Sequence, residues 1–276
     1  MKPWIAWGKA LMSRITKADT ASYAAALAYN FLFALFPLLL FLTALLGLFH
    51  LPTLRDFFRG PGTLLLAPSV RGLILKALSQ ARSFRSPTLL SLGAVGFIWA
   101  MSGSLRQLTD ALNHAYRYTH LSRPFWKTYV LSVVLGLLLG ALMAASEAIV
   151  TVGGDLVRIV SMAWLHHRPD PFGVEVIRWG VLLVLMWIIL TLIYNWLPDR
   201  VARFRWISPG TVVVMAAWIV ISLGFSLYAS HFNHYNKTYG SLGGVILLML
   251  YLYILSFALL VGAEINAIGS KGGSPP

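Results

Sequence analysis

Cysteine is absent from this chain of 276 residues, and charge is scarce. Without cysteine there is no disulfide framework, no thiolate metal site and no cysteine nucleophile, and redox chemistry says nothing about the compartment. Asp, Glu, Lys and Arg together make up 11% of the chain, under half of the roughly 25% usual in soluble domains. Acidic residues are the scarcest, nine against 22 Lys and Arg, which leaves a net charge of +13. So few charges cannot cover the surface of a water-soluble protein of this size. Apolar side chains take their place, at 58% of the chain. Soluble-enzyme, disordered and collagen-like classes are excluded on this composition, and an integral membrane protein is expected.

Six apolar runs reach the length of about 20 residues that a membrane-spanning helix needs. They cover 24–49, 88–105, 128–152, 174–197, 208–230 and 241–268. The first holds no charged residue, while the third holds Glu147, the fourth Arg178 and the sixth Glu264. None shows the two-residue alternation of a membrane barrel. Backbone groups in a bilayer must bond within their own segment, so helices follow. The expected class is all-α: a polytopic membrane protein with six transmembrane helices plus amphipathic interfacial helices, one domain over 1–268. The first run is too long for a signal peptide and no small-residue cleavage pattern follows it. The Gly/Ser/Pro-rich tail 269–276 is expected to be disordered.

A cytoplasmic N-terminus puts twelve basic residues inside and ten outside. Six of the outside ten lie in the loop 51–87. The count favours cytoplasmic N- and C-termini. The basic excess itself sits between apolar runs and suits anionic lipid headgroups rather than nucleic acid.

Two further stretches have interfacial patterns. Over about 4–18, Trp4, Trp7, Gly8, Leu11, Met12 and Ile15 share one helical face, opposite Lys9, Ser13, Thr16 and Lys17. A basic helix with tryptophan on its apolar side lies on a membrane surface, or packs on the bundle. In the loop 51–87, expected outside the cytoplasm, Val70, Leu73, Ile74, Ala77, Ala81 and Phe84 form a second stripe after the Gly60-Pro61-Gly62 break. No strong internal repeat is present.

Ionisable and amide groups are costly inside a membrane and usually face a cavity or a partner. With the N-terminus inside, Asn30, Arg106, Asp110, Asn195, Glu264 and Asn266 fall at one level near the inner ends of four spans. They form the candidate substrate-binding set, a polar vestibule opening inward. Ordinary boundary chemistry at span ends is the plainer alternative, and both stay open. Glu264 can ionise by pairing with Arg106, or stay protonated if its site is dry. Glu147, in the outer half of the third span, is a possible outer polar site. Pro37 removes a helix hydrogen bond in the first span and is a candidate hinge. Gly136-Leu-Leu-Leu-Gly140 and Gly240-Ser-Leu-Gly243-Gly244 permit close helix approach, and a homo-oligomer stays open.

Catalytic patterns are weak. His166-His167 and the His231/His234 pair lack a third ligand placed by sequence, so no metal and no cofactor are expected. No phosphate loop and no nucleophile elbow occur. Arg200, Arg203 and Arg205 interleave with Phe204 and Trp206 in a short loop between spans. Such a pattern also occurs in nucleic-acid binders. Here it reads as a lipid headgroup contact, each arginine worth roughly 1 kcal/mol at a charged surface.

The first run, from Ala24 through Tyr29-Asn30-Phe31 to Phe36-Pro37, resembles the first-span signature of the YihY/BrkB family of bacterial inner-membrane proteins. Tyr239-Gly-Ser-Leu-Gly-Gly244, Tyr251-Leu-Tyr253 and Gly262-Ala-Glu264-Ile-Asn266 resemble its sixth-span signature. At Asn30 the chain departs from the pattern, where many members carry a second tyrosine. The resemblance implies a six-helix protein of the bacterial inner (cytoplasmic) membrane with cytoplasmic termini. It implies a cell-envelope role, with serum resistance in one member and lipid or lipopolysaccharide-precursor transport in others. Family members also carry an older ribonuclease BN label. The residues argue against it, since no acid/histidine cluster and no soluble domain for RNA are visible.

The expected function is therefore a transporter or flippase-like protein for an anionic amphipath, a lipid or lipid-linked envelope precursor, with anionic membrane lipids as partners, no nucleic acid and no enzyme activity. A channel or proton-coupled carrier for a small solute or ion, a non-transporting envelope-assembly scaffold and a lipid-modifying membrane enzyme are the alternatives.

Overall fold

In the computed structural model the described residues are 3–49, 87–118, 171–199, 204–231 and 241–270, with isolated positions between 124 and 138. They form six helices and no strand: α1 (Pro3–Lys17), α2 (Thr20–Phe49), α3 (Pro87–Ala115), α4 (Pro171–Trp196), α5 (Pro209–His231) and α6 (Ser241–Ser270). Four contain segments long and apolar enough to cross a membrane: Thr20–Leu38, Trp179–Trp196, Pro209–Tyr228 and Gly243–Gly269. The described residues are all-helical apart from turns and loops, and four of their helices suit a membrane. The run 128–152 lies largely outside the described residues, as do Glu147, Arg200, Arg203, the stripe in 51–87, His166, His167 and His234, and the last six residues of the tail.

Local chemistry marks the helix ends. Pro87, Pro171 and Pro209 open their helices, where the missing N–H removes no bond. Ser208 caps α5: its Oγ accepts from Thr211 N at 3.2 Å. Asp19 has a φ of 45°. Its carboxylate accepts from Ser22 Oγ at 2.9 Å, so one residue ends α1 and starts α2. Asp tolerates this left-handed conformation better than most residues. At the end of α3, Arg117 has a φ of 57°. Tyr118 N bonds Asn113 O at 2.9 Å and Arg117 N bonds His114 O at 3.0 Å. This is the Schellman termination, with arginine where glycine is usual.

The helices pack around α2, α3 and α6. The longest seam joins α2 to α3, and α6 lies against α2, α5 and α3. Two contacts show that α2 and α3 run antiparallel. Tyr23 meets His114 with ring centroids 5.0 Å apart. Further along, a Cβ on Gly96 would lie 3.3 Å from Pro37 Cβ. The α2 helix continues through Pro37, and the ring packs against Gly96 of α3.

Burial is inverted relative to a soluble protein. Trp99, Val95, Val220 and Leu227 are each 66–70% exposed, whereas Ser102, Thr109, Asn113, Thr191 and Asn266 are buried. Aliphatic surface of this kind belongs against lipid, and each polar group inside must find a bond. Ser102, Ser104 and Thr109 bond carbonyls one turn back in α3, at 2.7, 3.0 and 2.9 Å. Trp218 Nε1 donates to Leu255 O at 3.0 Å, tying α5 to α6.

The α1 helix rests on α6 and α2. Leu11, Arg14 and Ile15 turn toward the bundle, while Met12 is 65% exposed. The apolar face read from sequence is thus split, with Arg14 turned inward to an ion pair with Glu264. The side chains of Trp4, Trp7 and Lys17 lie outside the described set.

Candidate functional site

Polar side chains converge at one end of the bundle, where α1, the C-terminal ends of α3, α4 and α6, and the start of α5 meet. Glu264 is at its centre and is fully enclosed, at 0% exposure. Its Oε2 accepts from Arg14 Nε at 2.7 Å. Arg14 Nη2 also donates to the Ala115 carbonyl, 3.3 Å away, at the end of α3. The partner of Glu264 is therefore Arg14, on the surface helix, and not Arg106 as the sequence suggested. The local pattern around Arg14 marks it as one basic residue among several; only the packing of α1 on α6 selects it.

The two asparagines near this end have structural bonds. Asn195 holds both backbone groups of Arg205: its Oδ1 accepts from Arg205 N at 2.9 Å, and its Nδ2 donates to Arg205 O at 3.1 Å and to Thr191 O at 2.8 Å. This pins the loop between α4 and α5. Asn266 Oδ1 accepts from Gly210 N at 2.7 Å, meeting one of the unbonded donors at the start of α5. Its side chain also bonds the Tyr116 hydroxyl. Burial pushes the Tyr116 phenol well above its ordinary range, against the pull of that bond with Asn266. Asn195 and Asn266 thus position backbone, which the sequence could not distinguish from lining a site.

Sequence reasoning missed a second pair. Asn113 Nδ2 donates to Asp199 Oδ2 at 3.1 Å, and Asp199 N donates to Asn113 Oδ1 at 2.9 Å. This joins α3 to the turn after α4, and both residues are buried. The available signal was Leu197-Pro198-Asp199 directly after an apolar run, a helix stop followed by a bonding side chain.

Arg106 is half-buried on α3, and its Nε reaches Ser102 O at 3.4 Å. Asp110 lies one turn further, exposed at the surface. Its carboxyl is held above the usual range by the surrounding protein first, then by the Asp199 carboxylate, and lowered by Arg106. A raised folded value means the folded protein binds the proton more tightly than the unfolded chain does. Its contribution therefore makes stability fall as pH rises from the ordinary aspartate range through the raised value. Asp110→Asn is expected to flatten that part of the profile, read as the thermal midpoint of the detergent-solubilised protein against pH.

Asn30 is half-buried on α2. It sits midway between the Tyr23–His114 and Pro37–Gly96 contacts, level with the Arg106 region of α3. The loop before α5 is outward-facing: Phe204, Trp206 and Ile207 are 40%, 63% and 73% exposed, and Arg205 is exposed between them. Trp206 packs edge-on to Phe204 at 5.1 Å and near Trp187 at 6.1 Å. Among the described residues no group of three His, Asp or Glu is placed to hold a metal.

Comparison with known proteins places these features in a family. The chain is 31% identical over 271 residues to a putative ribonuclease-like protein, YfkH, of Bacillus subtilis, covering 95% of this chain and 94% of that one. It is 26% identical over 275 residues to a UPF0761 membrane protein of Xanthomonas axonopodis pv. citri, covering 95% of this chain. A UPF0761 membrane protein of Xanthomonas oryzae pv. oryzae matches to the same extent. The chain spans 60% of the length of these Xanthomonas relatives. No solved structure matches it significantly. A family model described as Virulence factor BrkB matches residues 11–274, and the chain belongs to that family of membrane proteins.

Proposed function

We propose that this protein is a transporter or flippase-like protein of the bacterial inner membrane for an anionic amphipath, a lipid or lipid-linked envelope precursor. The observation that carries this reading is the fully enclosed Glu264, paired with an arginine of a surface helix, in a bundle whose outside is aliphatic. Ionisable groups are retained inside membrane helices chiefly where something polar must be moved or bound. Asp110 lies toward that end, near Asp199, and Arg106 and Asn30 extend the polar groups deeper along α3 and α2, while Asn195 and Asn266 hold the backbone around it. Arg205, between exposed aromatic residues, supplies a headgroup contact, and Arg200 and Arg203 of the same loop add to it. The reading includes six spans, with 88–105 and 128–152 as the second and third, cytoplasmic termini, Pro37 as a hinge, Glu147 as an outer polar group, and no enzyme activity.

Vesicles reconstituted with the purified protein and a fluorescent phosphatidylglycerol test it. The wild type is expected to move the lipid between leaflets faster than protein-free vesicles, and Arg106→Ala and Glu264→Gln to slow it. Equal rates with and without protein overturn the reading, and unchanged rates in both variants overturn the site. Orientation is tested separately. Because the chain has no cysteine, Ser13→Cys and Ser270→Cys introduce single labels. Both are expected to react with an impermeant reagent only after the cytoplasmic face is opened; labelling in intact spheroplasts overturns the topology.

The scaffold reading has one observation in its favour. Asn113, Asn195 and Asn266 each bond protein backbone rather than face an opening. It predicts stable partner proteins and no lipid movement in the same vesicles.

A further inference from the structure

The ion pair between α1 and α6 is incomplete on both sides. A guanidinium has five N–H donors and can fork onto both oxygens of a carboxylate. Arg14 instead gives Nε to one oxygen of Glu264 at 2.7 Å and Nη2 to the Ala115 carbonyl at 3.3 Å. The other oxygen, Oε1, is buried and accepts no hydrogen bond. The two partners also differ in access. The Arg14 side chain keeps 13% of its surface open and that of Glu264 keeps 1%. A buried pair with unmet donors and acceptors regains little of its desolvation cost. A phosphate group offers several acceptor oxygens in a geometry that a guanidinium matches. It would satisfy Arg14 better than a single carboxylate oxygen does.

We propose that Arg14 binds the headgroup at the enclosed site, that Glu264 occupies it in the empty state, and that a phosphate-bearing lipid headgroup displaces Glu264 from it. This deepens the anionic-amphipath reading and rests on it. The displaced carboxylate is enclosed without a counter-ion, a state too costly to persist. It takes one proton from water as the headgroup phosphate takes its place on the guanidinium, so charge balances across the exchange. Arg14 is the cation bonded to Glu264. The other ionisable groups at this end are Tyr116, Arg117 and Tyr118 after α3, Asp199 after α4, Tyr194 of α4 and Arg205 ahead of α5, with Arg106, Asp110 and His114 along α3 and Tyr23 across the α2–α3 seam. None of these bonds the carboxylate.

The exchange makes a prediction opposite to that of a purely structural ion pair. Removing the competitor should strengthen binding. Soluble short-chain phosphatidylglycerol is titrated calorimetrically into the full-length protein in neutral detergent, beside inorganic phosphate and short-chain phosphatidylcholine. Glu264→Gln is expected to bind the phosphatidylglycerol about tenfold more tightly than the wild type, a gain of about 1.4 kcal/mol. Wild-type binding is expected to weaken as pH rises and to take up protons, and Glu264→Gln to lose both properties. Arg14→Gln/Glu264→Gln removes the two charges together, so no ion is left stranded in the fold, and it is expected to bind nothing. Equal affinity in the wild type and Glu264→Gln, binding retained by the double variant, or no binding by any form overturns the exchange. Binding of inorganic phosphate without the lipid overturns the lipid assignment. Lipid movement in vesicles without this exchange leaves the transport reading standing and removes the inference; exchange without lipid movement does the reverse.

Discussion

Gly210→Ala is expected to destabilise the protein by about 3 kcal/mol, the upper part of the range for overpacking a core. The cause is a backbone contact. At the α5–α6 crossing, a Cβ on Gly210 would collide with the carbonyl oxygen of Gly262 and lie 2.6 Å from Asn266 Oδ1. A carbonyl in the middle of a helix cannot turn aside, so the two helices must separate. Separation would also break the bond from Gly210 N to Asn266. Gly262→Ala is expected to act in the same direction. Its Cβ would meet Val214 Cγ2 and the Tyr194 hydroxyl, and would lie 3.1 Å from Gly210 O. That hydroxyl already donates to Leu259 O at 2.7 Å inside the core. The controls are Gly180→Ala and Gly224→Ala, where nothing lies within 4 Å of the added carbon. In these helix interiors alanine is expected to stabilise by about 0.5–1 kcal/mol. Thermal midpoints of the four variants by fluorescence-detected gel filtration check the contrast. Equal midpoints for Gly210→Ala and Gly180→Ala would show that α5 and α6 do not cross as described.

The second large effect concerns charge. Arg14→Ala leaves Glu264 enclosed at 0% exposure with no counter-ion. Removing one partner of a buried pair typically destabilises by about 3–5 kcal/mol. The replacement also takes away the bond to Ala115 O, so α1 is expected to detach from the ends of α3 and α6. Arg14→Gln/Glu264→Gln should lose much less, because no charge is then left in the interior. The measurements are the thermal midpoints of wild type, Arg14→Ala, Glu264→Gln and the double variant, with protease sensitivity of the first 19 residues reporting on α1. A double variant as unstable as Arg14→Ala would mean that packing, rather than charge, holds α1 in place.

Much of the architecture is legible in the sequence. Runs of apolar residues long enough to cross a bilayer can only close their backbone bonds as helices. The expected runs at 24–49, 174–197, 208–230 and 241–268 match α2, α4, α5 and α6 closely. The run 88–105 underestimates α3, which continues to Ala115. Its second half is too polar for a hydropathy reading, yet Leu105, Leu108 and Leu112 bury one face of it. Asn195, Asn266 and Glu264 stood out because polar groups in apolar runs are expensive. Their roles did not, since an amide that braces a loop and one that lines a site look alike in one dimension.

Composition and run length by themselves determined that this is a helical membrane protein, because the physics involved is local: the cost of water contact for each side chain and of an unbonded amide in lipid. The tertiary structure decided which charges meet. Arg14 and Glu264 are 250 positions apart, and Asn113 and Asp199 are 86 apart. Nothing in the intervening chain specifies either pairing. A buried ion selects its partner by proximity after the helices have packed, and that proximity depends on contacts such as the α5–α6 crossing, where two glycines let the backbones touch.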